Sequence, residues 1–227
     1  MLFEPAVAAV IDKPVTTPRG LAFAYTETPV TITIRLDDIN DLEVTGQRVR
    51  FKTEWGTFVG GDSCVMENNA CQVTWRSGNP ITAPQDCEVA ITAFAIGEES
   101  FDDFDGDNQF DASESISFDL SEPFLDIDGN GSYSLGLVTF EGVPEIIDID
   151  NQAGAPGGDG KHNPADGRFT GVTCSDGNPQ CTSNTSMVIH ARSHILIQER
   201  FDEDPDDLNN DGDNTDTNIN YCNNFSY

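Results

Sequence analysis

The chain has 227 residues, with 11 lysines and arginines against 40 aspartates and glutamates and a net charge of −29. That balance excludes the basic footprint on which nucleic acid and anionic lipid surfaces depend, so neither is an expected partner. The length allows one large domain or two small ones with a real core. Lysine is confined to Lys13, Lys52 and Lys161, and the surplus of carboxylates suits multivalent cations or a salt-adapted surface.

The chain opens Met1-Leu-Phe-Glu-Pro without a basic run. Ala6 to Ile11 is too short for the apolar core of a signal peptide or for a membrane span, so no membrane insertion is expected. The chain therefore reads as a piece of a longer exported protein. Val7, Val10 and Val15 lie among prolines in a segment able to leave its own domain and add a strand to a neighbour.

Strict alternation begins at Val30, with Val30, Ile32, Ile34 and Leu36 facing one way and Thr31, Thr33 and Arg35 the other. It recurs at Val49 and Phe51, at Cys71, Val73 and Trp75, at Val89, Ile91, Ala93 and Ala95, and from Met187 to Ile197. Period two, Thr/Val/Ile enrichment and turns rich in Gly, Asn, Asp and Pro predict an all-β fold, and the spacing suggests a sandwich of two sheets. Trp75 belongs to the inward set. Trp55, at a strand end before Gly56, is the better candidate for exposure and for a sugar-binding platform.

After Gly97 the spacing breaks, and acidic repeats fill most of the stretch before Met187. The first repeat, counted from Asp103, places Asp103, Asp105, Asp107, Asp111 and Glu114 at loop positions 1, 3, 5, 9 and 12. Gln109 stands at position 7, where a backbone carbonyl usually serves, and apolar Phe110 at position 8. Carboxylates on alternate residues of a tight turn repel one another. A hard cation taking 6–8 oxygens at about 2.4 Å removes that repulsion, and this is the ligand schedule of an EF-hand loop, which points to Ca2+. The second repeat offers Asp126, Asp128, Asn130 and Ser132 with Gly131 at the sharp turn, but Leu137 at position 12, so Glu141 or Glu145 would have to reach in. The third begins Asp148-Ile-Asp150, is interrupted from Gln152 to Gly158, and resumes with Asp159, Gly160, Lys161, Asn163 and Asp166 at positions 5, 6, 7, 9 and 12. In the acidic tail, Asp207, Asn209 and Asp211 fit positions 1, 3 and 5. Two to four structural ions are expected overall. The apolar residues flanking the repeats, among them Phe101, Phe124 and Ile147, look like a small core organised around ions.

Six cysteines stand at 64, 71, 87, 174, 181 and 222, none in a Cys-x-x-Cys or zinc-ligand spacing. Cys64/Cys71 and Cys174/Cys181 suit disulfides that pin a hairpin or loop, leaving Cys87 and Cys222 to pair across the fold. An oxidising, extracellular or cell-surface location follows. His190 and His194 are four apart on a strand and share its polar face with Arg192; that spacing favours a metal pair only on a helix. No nucleophile motif stands out, and a carboxylate pair chosen among so many acids carries no information about catalysis, so no enzyme is expected.

The stretch Leu36-Asp-Asp-Ile-Asn40, Val44-Thr-Gly46 and Val49-Arg-Phe51, continued by Cys71-Gln-Val-Thr-Trp75 and Val89 to Gly97, resembles the bacterial group-one Ig-like domains of invasin- and intimin-type adhesins. Ala95-Ile-Gly-Glu-Glu-Ser-Phe101, the Phe-x-Asp repeats and Asp166-Gly-Arg-Phe-Thr-Gly-Val-Thr-Cys174 look like a subset found in large surface proteins of aquatic gammaproteobacteria. The resemblance implies an Ig-like β-sandwich with a calcium-stiffened insertion between its last two strands. The expected organisation is main strands over 1–100, a calcium-binding insertion over 101–169, final strands over 170–200 and an acidic tail or linker over 201–227. The expected function is an extracellular adhesive module that neighbours similar modules or identical subunits and takes a cell-surface glycan or protein as ligand. A strand-exchanging filament subunit and a carbohydrate-binding module are the alternatives.

Overall fold

The computed structural model describes residues 29–36, 38, 42–78, 83, 84, 86, 88–139, 142–149, 158 and 160–199, with backbone alone at 198, 199 and four short strands before residue 25. Cys87, Asp150, Asp159, Asp207, Asn209, Asp211 and Cys222 lie outside the described residues. The strands are β1 (Leu2–Phe3), β2 (Ala9–Ile11), β3 (Val15–Thr16), β4 (Phe23–Ala24), β5 (Pro29–Arg35), β6 (Arg48–Thr53), β7 (Thr57–Val59), β8 (Ser63–Val65), β9 (Ala70–Arg76), β10 (Glu88–Gly97), β11 (Ser100–Asp102), β12 (Ser115–Phe118) and β13 (Met187–Glu199). No helix occurs among the described residues.

One sheet runs β1-β5-β9-β7 and a second β2-β13-β10-β6-β8; β11-β12 and β3-β4 form two-stranded ribbons. Alternation in the sequence becomes alternation in burial. Val30, Ile32, Ile34, Val73 and Trp75 from the first sheet meet Val49, Phe51, Val89, Ile91, Ala93, Ile195 and Ile197 from the second in a single core. This is the pattern of two antiparallel sheets packed face to face. A segment before residue 12 edges both sheets, β1 pairing antiparallel with β5 and β2 parallel with β13.

Trp55 is 3% exposed, which corrects the expectation of an exposed ring. After Thr53 the chain turns back at Gly56, whose φ is +80°, and brings the Trp55 ring to 5.9 Å from that of Trp75. Trp75 Nε1 donates to Trp55 O at 2.9 Å. A Cβ on Gly56 would lie 2.4 Å from Arg76 O and 2.6 Å from the Trp75 ring, so only glycine fits that turn. Trp75→Ala should destabilise the sandwich by about 3–5 kcal/mol in denaturant titration.

Glu54, beside this turn, is buried and accepts from Ala90 N at 3.0 Å. Burial raises its pKa from 4.5 to about 7. The native state then holds a proton that the unfolded chain releases, so stability falls as pH rises from 4.5 towards 7. Glu54→Gln keeps the acceptor without the charge. It should raise the melting temperature near pH 8 and leave it unchanged near pH 4.

β10 and β13 pair along their whole shared length, from Glu88↔Leu196 to Gly97↔Met187. Residues 98–186 therefore leave and re-enter the sheet at directly opposed positions. They fold back over its outer face, where Leu125 and Ile147 pack on Ala90, Phe94 and Val188. The polar face of β13 faces them: His190 Nε2 meets Ser121 O at 3.1 Å, His194 Nε2 meets Asp126 O at 2.7 Å, and Arg192 lies 4.1 Å over the Phe124 ring. Because a carbonyl can only accept, both imidazoles present an N–H, so the two histidines dock the excursion to the sheet. Burial holds His190 well below its usual range, at about 4, and keeps it neutral.

Candidate metal centres

Within residues 98–186 one hydrogen-bonded frame recurs. In the loop opened by Asp103, the carboxylate accepts from Gly106 N at 2.7 Å and Asn108 N at 3.0 Å. The sixth residue, Asn108, is held at φ 59°. The seventh N–H (Gln109) bonds Asp107 Oδ1 at 2.7 Å. Glu114 closes the loop, its two oxygens each accepting at 3.0 Å, from Phe104 N at position 2 and Asp111 N at position 9. Asp103, Asp105 and Glu114 thus bring three carboxylates within 4.8 Å of one another. The Asp111 carboxylate turns instead to the amide and hydroxyl of Ser113.

The loop opened by Asp126 repeats the sixth-position, seventh-position and closing contacts, while its fourth amide, Gly129 N, turns to the Asp126 carbonyl instead. Gly131 N reaches both Asp126 oxygens at 3.1 and 3.0 Å, with Gly131 at φ 77°. Ser132 N bonds Asn130 Oδ1 at 2.7 Å. The closing acid is Glu145: Ile127 N (position 2) donates to Oε1 at 3.3 Å and Ser134 N (position 9) to Oε2. Asp126, Asp128 and Glu145 form the second three-carboxylate group. Glu145 therefore reaches in from outside the continuous loop and occupies the place that Leu137 cannot fill.

At the third repeat, Gly160 N donates to both Asp148 oxygens at 3.1 and 3.2 Å, with φ 80° at Gly160. The ninth-position amide, Asn163 N, donates to Glu122 Oε2 at 3.1 Å. Lys161 occupies the seventh position, between these two contacts. Asp166 belongs to a fourth frame, opened by Asp119. Gly167 N, at φ 73°, bonds Asp119 Oδ2 at 2.8 Å, and Arg168 N bonds Asp166 Oδ1 at 2.9 Å. Glu99 closes this frame, accepting from Leu120 N at 2.9 Å and Thr170 N at 2.8 Å.

All four closing glutamates are buried: Glu99 is 4%, Glu114 7%, Glu122 0% and Glu145 1% exposed. Desolvation raises the pKa of Glu145, with Asp128 and Asp126 adding to it. Desolvation does the same for Glu99, whose carboxylate neighbours are Asp119 and Asp166. Asp103 is desolvated too, yet the N–H donors of Asn108 and Gly106 outweigh this and hold it below the ordinary range. Each three-carboxylate group, closed by a buried glutamate that backbone N–H groups fix, is an oxygen-rich cluster able to hold a metal ion.

Two cysteine pairs, Cys64–Cys71 and Cys174–Cys181, are disulfide-bonded, with Cα atoms 5.8 and 6.4 Å apart. The second ties together the residues that bridge to Phe110 and Phe169. Glu99, Asp119 and Glu122 were missed by reasoning from continuous loops. The signal for the two glutamates is the repeated Glu-x-Phe-x-Asp of Glu99 to Asp103 and Glu122 to Asp126, which does not reach Asp119.

No protein-family model matches this chain, and neither the curated proteins nor the solved structures hold a significant match.

Proposed function

We propose that the protein is an extracellular Ig-like module whose insertion is set by bound calcium, serving as a structural or adhesive element of a surface protein. The observation that carries the reading is the recurrence of one frame, in which a buried glutamate spans the second and ninth amides of an aspartate-opened loop. Two of these frames gather three carboxylates each. The disulfides suit an oxidising exterior. Extracellular loops of this type hold calcium at about 10⁻⁴–10⁻³ M, so they empty inside a cell and fill outside it. Calorimetric titration should count about two to four calcium ions, with magnesium a poor substitute because it tolerates irregular cages badly. Absence of calcium binding would leave only a solvated acidic surface.

A second reading, a strand-exchanging filament subunit, draws support from the N-terminal segment, because β1 and β2 edge the two sheets without belonging to either core hairpin. A neighbour's segment would meet the same edges. Light scattering should then find assemblies that vanish when residues 1–20 are deleted. The carbohydrate-binding reading loses its platform, since Trp55 lies in the core.

A further inference from the structure

We infer, independently of any bound cation, that the free edge of β13 receives an extended segment of a partner protein as an added strand, and that this segment alternates apolar with basic side chains.

The larger sheet leaves this edge open. Between Met187 and Leu196, β13 pairs with β10 on one side, and among the described residues no strand borders its other side. β2 reaches it only at Ile197 to Glu199. The opening shows in burial: His190, Ala191, Arg192, Ser193 and His194 are all half-buried, whereas their ladder partners from Phe94 back to Ala90 are all buried. A row of unpaired N–H and C=O groups invites another chain, and native sheets commonly blunt their edges by keeping edge strands short. β7 and β8, which end the two sheets at their far edges, have three residues each. The open length of β13 is ten residues.

A cavity of about 860 Å³ lies along the open edge. It touches Ile189 and Ala191, whose side chains join the sandwich core, and also His190, Arg192 and His194, which face the excursion. A space bordered by both faces of one strand runs along its edge. Leu36 and Val44 from the end of the sandwich, Ile96 from β10, and Phe118 and Leu120 from the excursion give it apolar walls. Ile96 and Phe118 are 45% and 66% exposed, apolar surface that a covering strand would remove from water.

Charge selects the occupant. The walls hold Asp38, Glu98, Glu99 and Asp126 against one guanidinium, that of Arg192, which is turned to the Phe124 ring and to Gly131 O. The chain carries −29 overall, so a second copy is repelled and a basic segment is drawn in. In strand addition the main chain supplies affinity and alternate side chains supply specificity. Apolar side chains of the added strand would cover Ile96 and Phe118, and its basic ones would meet the carboxylates.

A fluorescently labelled peptide of about eight residues, alternating valine and lysine, tests this by anisotropy on the full chain at low salt in excess calcium. The same peptide with glutamate for lysine should bind at least about tenfold more weakly, and added sodium chloride should weaken the lysine peptide. Bound lysine peptide should slow hydrogen exchange at alternate amides between Val188 and His194. Ile96→Ser with Phe118→Ser, both at exposed positions, should weaken binding by about tenfold while Trp75 fluorescence reports an intact sandwich. No binding, equal binding of the two peptides, unchanged affinity in the double variant, or protection on β7 or β8 instead would overturn the proposal. Protection at 188–194 in the chain alone would overturn it too. The edge would then belong to a second copy if sedimentation finds a dimer, and to the chain's own residues 1–20 if deleting them exposes it.

Discussion

Chelation should melt residues 98–186 while the sandwich stays folded. Each ion bound at a hundred times its dissociation constant contributes about 2.7 kcal/mol, so on the calcium reading proposed above the two three-carboxylate groups alone would supply about 5 kcal/mol that a chelator removes. Without cations, Asp103, Asp105 and Glu114, and likewise Asp126, Asp128 and Glu145, are left to repel within 4.8 Å. The three-ring cluster of Phe101, Phe110 and Phe169 and the docking patch on Ala90, Phe94 and Val188 are too small to hold so much chain against that repulsion. Limited proteolysis should cut inside the excursion only in chelator. Calorimetry should resolve a second, lower transition that calcium raises and merges with the main one. A single transition insensitive to calcium would overturn this.

Excising the excursion should have the second large effect, and an informative one. Gly97 and Met187 are direct partners in the ladder, so replacing residues 98–186 by Asn-Gly leaves a two-residue hairpin of the favoured kind. The main core draws nearly all its buried side chains from outside the excursion, so the shortened protein should keep its tryptophan burial and strand circular dichroism. It loses the cover over Phe94, Ala90 and Val188 and should self-associate. Adding Phe94→Thr should restore a monomer. An unfolded product would mean that the sandwich leans on the excursion for stability.

Much of the sandwich was legible because a two-residue period survives translation into burial: Val30, Ile32 and Ile34, or Cys71, Val73 and Trp75, need no distant partner to reveal their face. Trp55 was illegible because a turn, not a strand period, decides where it goes, and Gly56 folds it inward. At the loops, Asp103, Asp126 and Asp148 stood out through alternation and turn glycines, which are local signals, and Glu114 and Glu145 were within reach of the same reasoning. Asp119, Glu99 and Glu122 were not, since their loops are discontinuous in sequence and are joined to them only by folding. Ala90, Phe94 and the two docking histidines of β13 carry the same lesson. Their outward placement suggests a wet face until the excursion covers it.

The Asp126 and Asp148 loops lie wholly between Ser121 and Asp166, inside the Asp119 loop. That nesting imposes a schedule on a chain emerging from its N-terminus. The inner pair is complete once Asn163 appears, before Asp166 to Thr170 exist to finish the outer one. β13, without which the larger sheet lacks a central strand, comes later still. The ornament can be finished before the building that carries it, and the last strand then arrives at a surface already prepared by Ser121, Phe124 and Asp126 to receive His190, Arg192 and His194.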